Sequence, residues 1–227
     1  MYSIFHTSHC GSTLLSALLS KSVPTLNEPL WSHTLKDLED PISAIEELHL
    51  EGTLVKYSSA YCHLMNQVKG KKVFLYRDLA SHVKKLKDHA DDMEFHFEAM
   101  KDHLNGRFHN INVEGSDTLK CAILWADRCF SAIDSKDVLS INADDLFEDP
   151  QRVAKKVCRF FEVEYVPTEI TYNVKEAGLN HTDQVINLDN VVVKNDYTEP
   201  VYADDLDLRR WAEESIVSKW PRLKYFI

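Results

Sequence analysis

A chain of 227 residues, 44% of them hydrophobic, can bury a substantial core, so a single domain is expected over residues 1–227, with residues 167–227 packed on it as a C-terminal extension. The 26 Lys and Arg against 36 Asp and Glu leave a net charge of −10, which excludes broad nucleic-acid binding but not one anionic small molecule held by a few local cations. Five scattered cysteines without a CxxC pair point to a reducing cytoplasm, and no run approaches the ~20 apolar residues of a membrane span.

The first predicted strand, Tyr2–His6, starts so early that no signal peptide is expected. A turn of small and polar residues leads into a helix over 12–20, with Leu14, Leu15, Leu18 and Leu19 at helical spacing. Pro24 and Asn27-Glu28-Pro29 break the chain. A polar helix over 41–50 ends at Gly52, and 53–57 (TLVKY) reads as a strand. Ser59 caps a predicted helix over 60–68, closed by Gly70. Residues 72–76 (KVFLY) are compact, apolar and β-branched or aromatic after Lys72, as in a buried parallel strand. Helices follow over 79–87 and 92–104, and a longer one runs from Ser116-Asp117 to Ile133. A strand over 137–142 and an amphipathic helix over 150–161, with Val153, Val157, Phe160 and Phe161 inward, complete the alternation. Residues 167–200 are irregular, and a last helix spans 204–218. The order predicts an α/β fold: a three-layer P-loop-type domain, its mostly parallel sheet flanked by helices, with a helical C-terminal part.

The most informative stretch is the first turn. A strand, a glycine turn and a helix opening at Ser12-Thr13 make a phosphate cradle. The first amides of a helix lack internal partners, and the helix dipole adds about half a positive charge there. Gly11 allows close backbone approach, and the Ser12 and Thr13 hydroxyls add donors. Against the nucleotide-hydrolysing pattern GxxxxGK[ST], Gly11 and Thr13 fit, but His6 replaces the first glycine and Ser12 the lysine. This predicts phosphate binding without triphosphate hydrolysis.

Ligands of open α/β sheets sit at the carboxyl ends of the strands. Two cations arrive there, Lys56 and Arg77, from different strands. Arg77 stands first after VFLY, where an NTPase carries a magnesium-supporting acid, and its planar fork suits phosphate or sulfate.

The ordered set FHTSHCGSTLLSALLS, NEPLW, LVKYSS, KKVFLYRDL and SINADDLFEDPQRVAKKVCRFF, across residues 2–161, resembles the sulfotransferases that use 3′-phosphoadenosine 5′-phosphosulfate (PAPS), most of all a bacterial branch with a CGSTLL-type loop. The resemblance implies that the loop Ser8, His9, Cys10, Gly11, Ser12, Thr13 and Leu14 cradles the 5′-phosphosulfate. It further implies that Arg77 holds the 3′-phosphate, that Lys56 lies near the transferred group, and that the acceptor is a small molecule carrying a hydroxyl or amine. PAPS and 3′,5′-adenosine bisphosphate are then cosubstrate and product, and no metal is required. Three positions depart from the family pattern: His9 stands for the loop lysine, Ser58 for a histidine, and Lys85 for the serine that partners the arginine. Lys194 in VVVKND is the late candidate for closing the nucleotide site, and Asp144 and Asp145 mark a structural helix start.

General-base candidates are His9, His6, Glu28 and His63, with His9 first; a plain turn carboxylate is the stronger reading of Glu28. His89, Asp92, His96 and His103 near helical spacing offer a metal site, against the stronger reading of a solvated face. Cys10 beside a helix N-terminus is expected to have a lowered pKa, and Trp125 and Trp211 to be packing residues. A kinase-like nucleotide-binding protein and a non-catalytic phosphate-binding module remain as alternatives.

Overall fold

The computed structural model describes residues 1–29, 40–48, 51–87, 89–108, 116–168, 171–173, 185–187, 210, 214, 218 and 221–226. Strands β1 (Tyr2–His6), β2 (Thr25–Asn27), β3 (Leu54–Lys56), β4 (Lys71–Tyr76) and β5 (Val138–Asn142) form one sheet in the order β2-β3-β1-β4-β5. Every pairing in it is parallel. Parallel neighbours need crossovers, and helices supply them on both faces.

The period-two alternation of strand side chains sorts them into two cores. On one face Ile4, Val73, Leu75 and Ile141 pack with Leu15, Leu18 and Leu19 of α1 (Ser12–Leu19) and with Val157 and Phe161 of α7 (Pro150–Phe161). On the other, Phe5, Val55 and Phe74 pack beneath α3 (Leu79–Lys87), α4 (Ala90–Phe108) and α5 (Asp117–Asp134). Each fully buried Phe or Leu contributes roughly 1.5–3 kcal/mol of transfer free energy. α5 is buried at every residue from 121 to 132, including the charged pair Asp127 and Arg128.

The fold class is the one expected, a helix-flanked sheet, here wholly parallel in its five strands. Details differ. β2 is an added edge strand, directly after Pro24 and only three residues long, too short to show alternation. The helix expected over 60–68 is a 3-10 turn, Ser59–Leu64, capped by Ser58 rather than Ser59. Its bonds run three residues back, from the Tyr61 amide to the Ser58 carbonyl at 3.0 Å and from the Met65 amide to the Cys62 carbonyl at 3.0 Å. A short α6 (Ala143–Glu148) follows β5, capped by Asn142 with Asp144 and Asp145 in its first turn. The carboxylates there sit at the positive end of the helix. α2 spans Pro41–Leu48.

Within the stretch expected to be irregular, β6 (Thr171–Asn173) and β7 (Val185–Asn187) pair antiparallel. The helix expected over 204–218, with Trp211, lies largely outside the described residues. Leu223 and Phe226 of the 3-10 turn Pro221–Phe226 are buried in the second core, where Phe226 meets Tyr76 edge-on at 4.8 Å. Among the described residues no helix is long and apolar enough to cross a membrane.

Candidate functional site

β1 lies between β3 and β4; its connection runs to β2 on one side, and that of β4 runs to β5 on the other. A crevice opens at the carboxyl end of such a strand. The loop that follows occupies it, and its backbone is unusual. Ser8, His9 and Gly11 have φ of 85°, 47° and 82°, in the left-handed region that costs a non-glycine residue about 1–3 kcal/mol.

The surroundings hold this shape. Arg128 Nη1 donates to the Thr7 carbonyl at 2.8 Å, and the Arg77 amide donates to Thr7 Oγ1 at 3.2 Å. Arg77 Nε donates to the His9 carbonyl at 2.9 Å. The Ser8 amide donates to His6 Nδ1 at 3.2 Å, and Ser8 Oγ lies 2.6 Å from Ser59 Oγ, itself 3.3 Å from His96 Nε2. The His9 ring stacks on His89 with centroids 4.2 Å apart.

With two loop carbonyls turned toward arginines, the helix start is left open. Gly11 is the N-cap of α1, and no side chain caps the first turn. The Leu15 amide reaches the Gly11 carbonyl at 3.0 Å, so the amides before it precede the helical ladder. Ser12 is buried at this end and Thr13 half-buried, while Leu14 faces the core. Gly11 has a further reason to be glycine. A Cβ there meets two ring atoms of Phe147 at 3.0 Å, so it is α6 that demands the bare backbone at this point. The same Phe147 ring carries the Arg77 guanidinium at 5.3 Å from its centroid.

Cys10 corrects the sequence expectation. Its thiol points inward, donates to the Leu75 carbonyl at 3.4 Å and is fully buried. Burial pushes its pKa up to about 11, although the Arg77 charge works the other way.

On the other flank, Lys56 is 2% exposed and ion-pairs with Glu28. Glu28 is therefore more than a turn carboxylate: its side chain is 10% exposed, and its amide donates to the Lys56 carbonyl at 2.7 Å. Burial alone raises the Glu28 carboxyl, but the contacts with His6 and Lys56 outweigh it and hold the pKa at about 2. His6 Nδ1 accepts the Ser8 amide, which puts the ring proton on Nε2, 3.8 Å from Glu28 Oε1. Burial, assisted by the Lys56 charge, lowers the His6 pKa to about 4 despite the Glu28 contact, so the ring is neutral.

The three histidines of the conceivable metal site take other tasks. His89 stacks on His9, buried His96 meets Ser59, and His103 Nε2 lies 2.9 Å from the buried Asp127 Oδ1, which also accepts Arg107 Nη1 at 2.6 Å. Of these three, His96 is buried and His103 partly so, while His89, just before α4, is exposed. Among the described residues no group of three or more His, Cys, Asp or Glu could hold a metal. His63 sits against His103, 4.9 Å between centroids, with Nδ1 2.9 Å from the Ala60 carbonyl, and burial lowers its pKa to about 4. Trp125 is a packing residue whose indole also donates to the Arg77 carbonyl at 3.0 Å. Lys85 is exposed on α3, and Lys194 lies outside the described residues.

Arg77 meets the loop at the His9 carbonyl, and Lys56 meets Glu28 beside His6. Arg128, Ser59, His96 and Phe147 are the neighbours the sequence leaves unread. The one available signal was Asp127-Arg128 standing inside the apolar helical run CAILWADRCFSAI.

The architecture has counterparts among solved structures. The sulfotransferase domain from the curacin biosynthetic pathway aligns with 94% of this chain and 97% of that chain, at 15% identity and a TM-score of 0.51. The sulfotransferase domain from the Synechococcus PCC 7002 olefin synthase aligns over 92% and 93%, at 14% identity and a TM-score of 0.52. The fold is that of a sulfotransferase domain. No protein-family profile matches the chain, and no curated protein does.

Within that fold the loop after β1 has two flanks. One side presents an open helix end and Arg77; the other presents a buried, ionised Glu28–Lys56 pair. Such an arrangement can hold an oxyanion and place a carboxylate and an ammonium beside it.

Proposed function

We propose that this protein transfers a sulfuryl group from PAPS to a hydroxyl or amine of a small-molecule acceptor. The observation that carries the reading is the glycine-started, uncapped α1 set against Arg77 and Lys56, with no lysine in the loop. The residues fit a phosphosulfate: the first-turn amides and the Ser12 and Thr13 hydroxyls are donors, and an anion completes the helix end. When bound, PAPS supplies the activated sulfuryl group.

The chain's own residues do the rest. The helix end and Ser12 bind and orient the donor's anionic end, and Arg77 both buttresses the loop and adds charge beside it. Lys56 offsets negative charge near the transferred group, and His9 does so from the loop. Glu28, ionised and fixed by Lys56 and His6, is the group placed to accept the acceptor's proton. At a pKa of about 2 it is a weak base, so positioning and charge carry the transfer, as in phosphoryl transfer.

Thermal melting with candidate nucleotides tests the reading. 3′,5′-Adenosine bisphosphate should raise the melting temperature without magnesium. A rise produced only by ATP with magnesium would instead indicate a kinase-like protein. Equal rises with sulfate and with every nucleotide would indicate a module that binds anions without catalysis.

A further inference from the structure

Arg128 is the least expected charge in the molecule. It sits in the middle of α5 with no solvent exposure, between residues that are themselves buried. One of its nitrogens has a partner: Nη1 donates to the Thr7 carbonyl at 2.8 Å. Nε and Nη2 are buried and have no hydrogen-bond partner among the described residues. The adjacent carboxylate, Asp127, is turned to α4, where its Oδ1 meets His103 at 2.9 Å and Arg107 at 2.6 Å. Its charge still reaches Arg128, but it is already shared with Arg107, and no carboxylate bonds Arg128 among the described residues. Burial first, and the Arg128 charge second, keep His82 and His96 well below their ordinary pKa and therefore neutral. A guanidinium remains protonated at neutral pH even when burial lowers its basicity.

A buried, poorly compensated cation destabilises a fold unless an anion answers it. Arg128 lies directly behind the backbone of the loop, at the residue where β1 ends and the left-handed turn begins. We infer that Arg128 is a positioning residue of the anion site: its charge is answered by a doubly charged sulfate or phosphate group seated on the loop, and its hold on the Thr7 carbonyl sets the amides that follow. The inference rests on the anion-binding part of the proposed function and not on sulfuryl transfer itself. In the unliganded protein Arg128 is a cost, and with the anion present it becomes a source of affinity.

Two variants separate charge from packing. Arg128→Gln keeps a donor for the Thr7 carbonyl and loses the charge, while Arg128→Lys keeps the charge. Affinity for inorganic sulfate and for 3′,5′-adenosine bisphosphate is measured by calorimetry, and the melting temperature is measured without ligand. R128Q should bind both anions at least tenfold more weakly, with an unliganded melting temperature equal to or above that of the wild type. R128K should stay within about threefold of wild-type affinity. Wild-type affinity in R128Q overturns the inference, and so does an R128K loss as large as that of R128Q. Wild-type protein that takes sulfate but not the nucleotide counts against the PAPS reading alone and leaves the Arg128 comparison intact. Wild-type protein that binds neither overturns both.

Discussion

Lys56 and Glu28 hold each other twice. Their side chains form a buried ion pair, and the Glu28 amide donates to the Lys56 carbonyl at 2.7 Å. The two contacts fasten the carboxyl ends of β2 and β3 together and fix a carboxylate beside an ammonium where a ligand of an open sheet sits. Removing one partner of a buried pair costs about 3–5 kcal/mol, because the other charge stays buried alone. Glu28→Ala should therefore lower stability in urea by roughly that amount, whereas Glu28→Ala with Lys56→Met should recover most of it. Equal losses in the single and double variants would show that an unpaired, buried Lys56 carries no penalty.

Arg77 ties the loop to β4 through the His9 carbonyl. Arg77→Ala should weaken binding of 3′,5′-adenosine bisphosphate by about tenfold to a hundredfold, the loss expected for a charged hydrogen-bond partner. Titration calorimetry reads this directly. An unchanged dissociation constant removes Arg77 from the site.

Acid should weaken the fold in a defined window. The pKa values of His6 and His63 are lowered from 6.5 to about 4 by burial first. Between those values the unfolded chain takes up protons that the folded chain refuses. Their contribution is thus complete above pH 6.5 and declines as the pH falls toward 4. Each histidine adds a slope of up to ~1.4 kcal/mol per pH unit. Glu28 acts lower: its contribution is present above 4.5 and is lost as the pH drops toward 2. Urea midpoints measured from pH 7.5 to 4.5 should fall steadily below 6.5. A flat profile would mean that the imidazoles are accessible to protons in the native state.

At Gly11 two constraints coincide, a φ of 82° and the Phe147 ring 3.0 Å from any added Cβ. Gly11→Ala should cost about 1–3 kcal/mol and reduce anion affinity, because relief requires the helix start or α6 to shift. Pairing it with Phe147→Leu should restore part of the stability lost to the steric clash but not the part lost to backbone strain. Thermal melts of the three proteins check the partition.

The sequence was legible wherever short-range pattern decides structure. β1, the glycine turn and α1 follow from one apolar run and one helical spacing, and β4 with Arg77 at its end follows from KVFLYRD. β2 was not legible, because three residues after a proline carry no period. The 3-10 turn passed for an α-helix, since spacing over six residues does not separate the two. Cys10 was read with the wrong sign: nearness to a helix start argues for a thiolate, but the turn aims the sulfur into the core. Arg128 meets Thr7 across 121 positions, and His96 reaches the loop only through Ser59, 37 positions from His96 and 51 from Ser8; no local rule reports such meetings.

Phe147 touches both halves of the anion grip: its edge closes over Gly11 and its face supports the Arg77 guanidinium. The gap between helix end and arginine is thereby gauged by the thickness of one aromatic ring. On the proposed function Phe147 then acts as a spacer, and shaving it should shift the relative affinities for shorter and longer anions.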